Sequence, residues 1–444
     1  MTATANTFAL RVGGIFATRV ARFGIGFGTS FLLAGLLLPK LRGEYALLIL
    51  VPGMLNALGQ LGLPSAMSFF AGRGMRVDQL QRLGWLLTAA LSLTLVGGTV
   101  ALLPWLQASV LQRVPGELVL VALASVPFQF ATAFSGSTLI GRQRLRNYNF
   151  INVAQSALML IGVILLVAVF DLGVVGAVAS YVTVAILTAI AMAFELHRVV
   201  RSEPSEGPSV KLRSFLSYGI RIYPASVTGY FSYRADVLVL SAMLGGDTTA
   251  IGLYTFSVSL AELVFMVPDS VSTVFYPHVA GLERSKANSL APQVSRFTLM
   301  VTGLAVIALI PAAWVVTHFI LSAYAESMLP FFVLLPGVMA LSVSKVLAGY
   351  IGGLGLPLMV ARASVINLVV NLVANVILIP LLGIVGAALS SLISYSVHAA
   401  ILAVTAARIA HRSPLEYVIP TSAEVRRLTD ALRSGVRRLR ERRA

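Results

Sequence analysis

The sequence contains no cysteine, which excludes disulfide bonds, cysteine-ligated zinc and thiol catalysis together. It is also poor in charge. Asp, Glu, Lys and Arg make up 11% of the 444 residues, where a soluble globular domain carries about 25%, so too little polar surface remains to coat a water-soluble particle. No DxD, HExxH, GxSxG or Walker A pattern occurs and the five histidines are scattered, which leaves ATP hydrolysis and metalloprotease chemistry without residues to perform them. No metal or organic cofactor is expected. The N-terminal stretch MTATANTFALRVGGIF lacks a signal-peptide apolar region followed by a small-residue cleavage site. The first hydrophobic segment is therefore expected to stay as a helix.

What is abundant is apolar side chain: 57% of the chain, with a mean hydropathy of +0.88. A span takes about 20 mostly apolar residues, so the composition accommodates about twelve. Apolar windows bounded by charge, Gly or Pro predict spans at 12–38, 43–70, 83–106, 117–140, 147–170, 172–196, 214–243, 250–279, 291–319, 326–350, 354–380 and 383–407. The expected fold is an all-α polytopic membrane protein: a six-helix lobe over 1–197, a polar linker over 198–213 with Pro204 and Pro208, a second six-helix lobe over 214–407, and a tail over 408–444. No outward loop is long enough to build a soluble catalytic domain.

The net charge of +16, from 33 Lys and Arg against 17 Asp and Glu, raises nucleic acid as a partner until its distribution is considered. Alternate loops hold Arg73, Arg76 and Arg82; Arg142, Arg144 and Arg146; Arg198, Arg201, Lys211 and Arg213; Arg284 and Lys286; and the tail. The other set holds only Lys40, Arg42 and Arg113. Cytoplasmic loops collect Lys and Arg, so this asymmetry predicts both termini in the cytoplasm and makes most of the charge topogenic. No nucleic-acid partner is required.

The chain also repeats itself. LGVVGAVAS at 172–180 aligns with LGIVGAALS at 382–390, and Gly43, Tyr45, Ala71 and Gly72 align with Gly252, Tyr254, Ala280 and Gly281. Six spans are an even number, so the two lobes share one topology and form a parallel repeat, with a substrate site expected between them. Small residues in the repeated GxxGA box suit close helix packing.

A charge near the bilayer centre costs about 2.5–3.5 kcal/mol on insertion scales, so charges at that depth mark cavities. Eight cations fall inside or at the ends of predicted spans: Arg11, Arg19, Arg22, Arg221, Arg234, Arg296, Lys345 and Arg362. At about 100° per residue Arg11, Arg19 and Arg22 share one face, and Arg11 also reads as an end charge snorkelling to headgroups. The membrane-depth acids are Glu195, Asp236, Glu262 and Asp269. Cations outnumber them, and guanidinium matches phosphate oxygens bidentately, so the expected ligand is anionic, with phosphate leading. Asn367, Asn371 and Asn375 recur every four residues. They read either as helix-to-helix glue or, through Asn371 or Asn375 with Asp236 and hydroxyls such as Ser390, as an oxygen-rich cation site. In the tail, Thr421 and Glu424 have capping-box spacing. Apolar residues at 425, 428, 432, 436 and 439 with eight Arg between 426 and 443 predict a basic amphipathic helix on anionic inner-leaflet lipid.

RADVLVLSAMLGGDTTAIGLYTFSVSL across spans seven and eight, NLVANVILIPLLGIVGAALSS across eleven and twelve, and an Arg-bearing first span resemble the polysaccharide flippases of the multidrug/oligosaccharidyl-lipid/polysaccharide exporter superfamily. The resemblance implies a V-shaped two-lobe transporter, not an enzyme, of the bacterial inner membrane. It would carry undecaprenyl-diphosphate-linked oligosaccharide to the outer leaflet by alternating access, beside other polysaccharide-assembly membrane proteins. It also implies Arg19, Arg22 and Arg221 as cavity cations, and Asp236 with Asn371 or Asn375 as a site for sodium or a proton as coupling ion. The alternatives are a multidrug or organic-cation exporter, which calls for a negative or aromatic cavity, and a lipid-linked sugar ligase, which calls for a large outer loop.

Overall fold

The computed structural model describes residues 2–202, 207–426 and 430, and among them the chain is helical with no strand. In chain order the helices are α1 (Thr2–Gly59), α2 (Leu63–Gly72), α3 (Val77–Ala101), α4 (Leu103–Ser109), α5 (Gly116–Leu123), α6 (Val126–Gly141), α7 (Leu145–Val163), α8 (Gly173–Ser202), α9 (Leu212–Met243), α10 (Thr248–Glu262), α11 (Met266–Ala280), α12 (Arg284–Val315), α13 (Met328–Gly353), α14 (Pro357–Leu382) and α15 (Ile384–Ala410). A π-helical turn, Ile164–Val169, extends α7 and another, Val316–Ile320, extends α12.

Ten helical stretches among the described residues are long and apolar enough to cross a membrane, against twelve predicted spans. Two features account for the difference. α1 is not one rod: Leu38, just before Pro39, has φ 57 and ψ 172, and Arg42 Nη1 lies 2.6 Å from the carbonyl oxygen of Ser30. Twelve residues of straight helix cover about 18 Å, beyond the reach of an arginine, so the chain folds back at Leu38 and α1 supplies two spans. α9, 32 residues long, has the length of a span but carries Arg213, Arg221, Arg234 and Asp236 and is not among the ten.

The chain divides into two compact units: Met1–Ser259 with Val316–Pro330 and Leu372–Ala388, and Leu260–Val315 with Phe331–Asn371 and Leu389–Ala444. In the first, the repeat-related glycines meet one another. A Cβ on Gly43 would lie 1.7 Å from the carbonyl oxygen of Thr248, and one on Gly252 would lie 1.8 Å from that of Pro39. Only hydrogen at these two positions lets α1 and α10 cross backbone to backbone, which is how helices gain contact in lipid. The GxxGA boxes behave alike: Gly173 and Gly383 both take positive φ, and a Cβ on Gly176 or Gly386 would strike the carbonyl of Leu166 or Leu378. The segment before α9 is no free tether. Gln79 clasps Val210 through hydrogen bonds of 2.9 and 2.7 Å, and the Arg76 N–H donates to the carbonyl of Pro208.

In the second unit a core of Phe275, Tyr350, Ile351, Leu402 and Ala406 also takes in Tyr417 from the chain after α15. That segment is strapped down. The Ser295 hydroxyl donates to the carbonyl of Tyr417 at 2.8 Å. Arg296 donates to the carbonyl of Glu416 and forms a bidentate pair with Glu424 at 2.8 and 2.7 Å. The capping box is present, with the Thr421 N–H on the Glu424 carboxylate at 2.9 Å and the Glu424 N–H on the Thr421 hydroxyl at 3.4 Å. The amphipathic helix expected beyond it falls almost wholly outside the described residues.

Two predictions follow from the packing. Gly43→Val is expected to lower the thermal midpoint of the detergent-solubilised protein, since overpacking typically costs about 1–3 kcal/mol. Gly97→Ala, where an added Cβ meets nothing within 4 Å, is expected to leave the midpoint unchanged or raise it. The Arg296 guanidinium holds the Glu424 carboxyl down at about 2 from an ordinary 4.5. Because the folded value is depressed, the strap's contribution is complete above 4.5 and is lost as pH falls towards 2. Limited proteolysis after Ala410 is expected to accelerate across that window in the native protein and to lose its pH dependence in Glu424→Gln.

Candidate functional site

The first unit contains an open cavity of about 750 Å³. Helical spacing builds its wall: on α1, Arg22, Gly26, Ser30 and Leu33 fall three or four residues apart, as do Arg42, Tyr45 and Ile49 after the break. The remaining lining comes from α6, α7, α8, α9 and α10.

Among the described residues, three arginines, Arg22, Arg42 and Arg234, line it, and no carboxylate does. Arg42 is buried and held by uncharged groups only. Its Nη1 donates to the Ser30 carbonyl at 2.6 Å, its Nη2 donates to the hydroxyls of Ser30 and Ser259 at 3.0 and 3.2 Å, and its guanidinium carbon sits 5.2 Å from the Phe256 ring centre. Arg22 and Arg234 are exposed and form no ion pair with a described residue. The cavity therefore presents positive charge that no acid in its wall neutralises.

The other expected cations separate clearly from these. Arg296 is committed to Glu424 and the Glu416 carbonyl, and Lys345 pairs with Asp269 at 2.5 Å with its Nζ 4.5 Å from the Phe265 ring centre. Both interactions lie inside the second unit, and both satisfy the charge structurally. Arg362 is exposed on α14. Arg221 is exposed on α9 but is not in the lining. It stands thirteen residues from Arg234, roughly 140° around the helix. Arg11 and Arg19 lie on α1, with side chains outside the described residues.

Arg234 and Asp236 point to different surroundings, as their two-residue separation requires. Asp236 is buried, accepting from the Tyr254 hydroxyl and from the Val237 N–H at 2.8 Å. Asn371, Asn375 and Ser390 are buried, and the Asn371 amide donates to the Ser394 hydroxyl at 3.3 Å. Asp236 and Asn375 belong to the first unit, Asn371 and Ser390 to the second.

Sequence reasoning missed Arg42, which reads as an outward-loop charge between Lys40 and Gly43. The left-handed residue before Pro39 turns the chain within a single residue, so the expected loop is the first turn of a helix. It also missed Gln129, Gln155 and Tyr181, polar side chains on three apolar helices that line the cavity. An amide inside an otherwise apolar span is the signal that marks the two glutamines.

The comparisons agree with this architecture. Residues 8–283 match the family described as "Polysaccharide biosynthesis protein". A probable low-salt glycan biosynthesis flippase of Haloferax volcanii is 26% identical over 207 residues, 43% of this chain and 41% of that protein. The probable flippase AglR of the same organism is 26% identical over 211 residues, 46% and 43% of the two chains. The chain thus spans under half the length of these curated relatives. Among solved structures, the lipid II flippase MurJ in an inward closed conformation superposes with a TM-score of 0.75 at 16% identity, over 88% of this chain and 87% of that one. An inward-facing multidrug resistance MATE transporter of the MOP superfamily gives 0.62 at 17% identity, over 89% and 94%. The fold is that of the MOP transporters, and the chain belongs to the polysaccharide biosynthesis protein family.

Proposed function

We propose that the protein flips polyprenyl-diphosphate-linked oligosaccharide from the cytoplasmic to the outer leaflet by alternating access, without covalent chemistry, for cell-surface polysaccharide synthesis. The observation that carries this reading is that, among the described residues, three arginines and no carboxylate line one cavity. A diphosphate supplies the missing negative charge and offers oxygens in the geometry that guanidinium reads two at a time. Of the curated relatives of similar sequence, one is named a probable low-salt glycan biosynthesis flippase and the other a probable flippase. An exporter of organic cations is disfavoured by the sign of the same cavity.

The Lys and Arg asymmetry of the loops supports an orientation with both termini cytoplasmic, and we place the protein in a bacterial inner membrane. The basic tail after the Thr421–Glu424 cap would then meet anionic lipid, near other polysaccharide-assembly proteins. Asp236 is a buried acid on the same helix as Arg234, and it is our candidate for the group that couples flipping to a proton or sodium gradient.

In proteoliposomes loaded with an undecaprenyl-diphosphate oligosaccharide, Arg22→Ala and Arg234→Ala are each expected to reduce translocation about tenfold or more. Each would lose a hydrogen bond to a charged group worth roughly 1.5–3 kcal/mol. Arg42→Lys is expected to lose nearly as much, because the bidentate geometry goes while the charge stays. Unchanged translocation in all three, with normal insertion, would remove the proposed diphosphate site. Asp236→Asn is expected to leave lipid binding intact and to abolish any response of translocation to an imposed ion gradient. A full response in that variant would exclude Asp236 as the coupling group.

A further inference from the structure

The cavity wall is chemically divided, and the division follows the helices. The cations among its described lining residues, Arg22, Arg42 and Arg234, stand on α1 and α9. The wall built by α6, α7 and α8 carries no charged side chain and is instead lined by Gln129, Thr132, Gln155, Ser156 and Tyr181 among small apolar residues. Its polar groups are amides, hydroxyls and a phenol, each able to donate and to accept.

One of these groups is fixed in orientation. Gln129 Nε2 donates to the Ser125 hydroxyl at 2.9 Å and to the Tyr181 hydroxyl at 3.0 Å. Both amide hydrogens are thereby used, and the Gln129 carbonyl oxygen is left as an acceptor. The Ser125 hydroxyl in turn donates to the carbonyl of Ala122 at 2.6 Å, so the amide is anchored through a second residue to helix backbone. Gln155 and Thr132 line the cavity and make no side-chain hydrogen bond to another described residue. Their donors and acceptors are available to whatever enters. Such a wall cannot itself neutralise an ion. Among the described lining residues, the only counter-charge for a carboxylate placed against it would be the arginines of α1 and α9, which the diphosphate reading already engages. It can satisfy several uncharged hydroxyl or amide groups at once, and an aromatic face such as that of Tyr181 suits the apolar C–H surface of a pyranose.

We propose that the α6–α8 wall is a sugar-reading subsite, and that it selects lipid diphosphates whose first sugar is uncharged and carries free hydroxyl or acetamido groups. The inference rests on the diphosphate reading of the arginines and adds the identity of what lies beyond the diphosphate. The residues that set the selectivity are Gln155 and Tyr181, with Gln129 as the group that holds Tyr181 in place. Sites built to hydrogen-bond a substrate hydroxyl discriminate strongly against analogues that lack it, because their own polar groups are then left unpaired.

The test is native mass spectrometry of the full chain with three probes: undecaprenyl diphosphate, the same lipid bearing one N-acetylglucosamine, and the same lipid bearing one glucuronic acid. The wild type is expected to retain the N-acetylglucosamine lipid about tenfold better than the other two. Gln155→Leu and Tyr181→Phe, checked for a native thermal midpoint, are expected to bind undecaprenyl diphosphate as the wild type does and to lose the preference. If one variant does not fold, the other carries the test. A wild type that binds the three lipids equally, or prefers the glucuronic acid lipid, would overturn the inference and leave the diphosphate site standing, as would variants that keep the preference. A wild type that retains none of the three lipids would overturn the diphosphate reading itself, and the inference with it.

Discussion

Arginine charge inside a membrane protein has to be answered by something, and among the described residues the cavity of the first unit is lined by three guanidiniums and no carboxylate. At the bilayer centre each would cost about 2.5–3.5 kcal/mol on insertion scales, together comparable to the whole stability of a typical domain. The protein distributes that cost in two ways. Arg42 is solvated by hydroxyls, a backbone carbonyl and the face of Phe256, while Arg22 and Arg234 face open space in the cavity. Such a site leaves positive charge that no acid among its described lining residues neutralises.

The frame of the cavity depends on close backbone packing. Gly43 and Gly252, related by the internal repeat, bring α1 and α10 into contact at the point where Arg42 begins its reach to Ser30 and Ser259. The break at Leu38 has the same consequence. By folding the chain back on itself it sets Arg22 and Arg42, twenty residues apart in sequence, on the wall of one cavity. Elsewhere cations are handled oppositely: Arg296 and Lys345 are given carboxylates and become struts of the second unit. Pairing with an acid is what separates a structural cation from one available to a ligand.

Much of this was legible in the sequence because it rests on composition and period. The helical membrane fold follows from the apolar windows, and the family from the resemblance carried by the segments around 234–254 and 380–387. The partners of individual charges were not legible. Glu424 reaches Arg296 across 128 positions and Asp269 reaches Lys345 across 76, and nothing local to either residue announces its partner. Arg42 was hidden by its neighbours, since Pro39, Lys40 and Gly43 read as a turn and the turn occupies only Leu38. The neutral wall was overlooked because a search for charge passes over amides and phenols, although Gln129 and Gln155 stand out once an apolar span is expected to contain none.

The central claim is that Arg22, Arg42 and Arg234 together receive a diphosphate. The most direct measurement is a cryo-electron microscopy structure of the protein in nanodiscs containing an undecaprenyl-diphosphate-linked sugar. The account predicts phosphate density within hydrogen-bonding distance of at least two of the three guanidiniums, with the sugar directed towards α6, α7 and α8. Well-ordered lipid-linked sugar whose phosphates lie away from these arginines would contradict it.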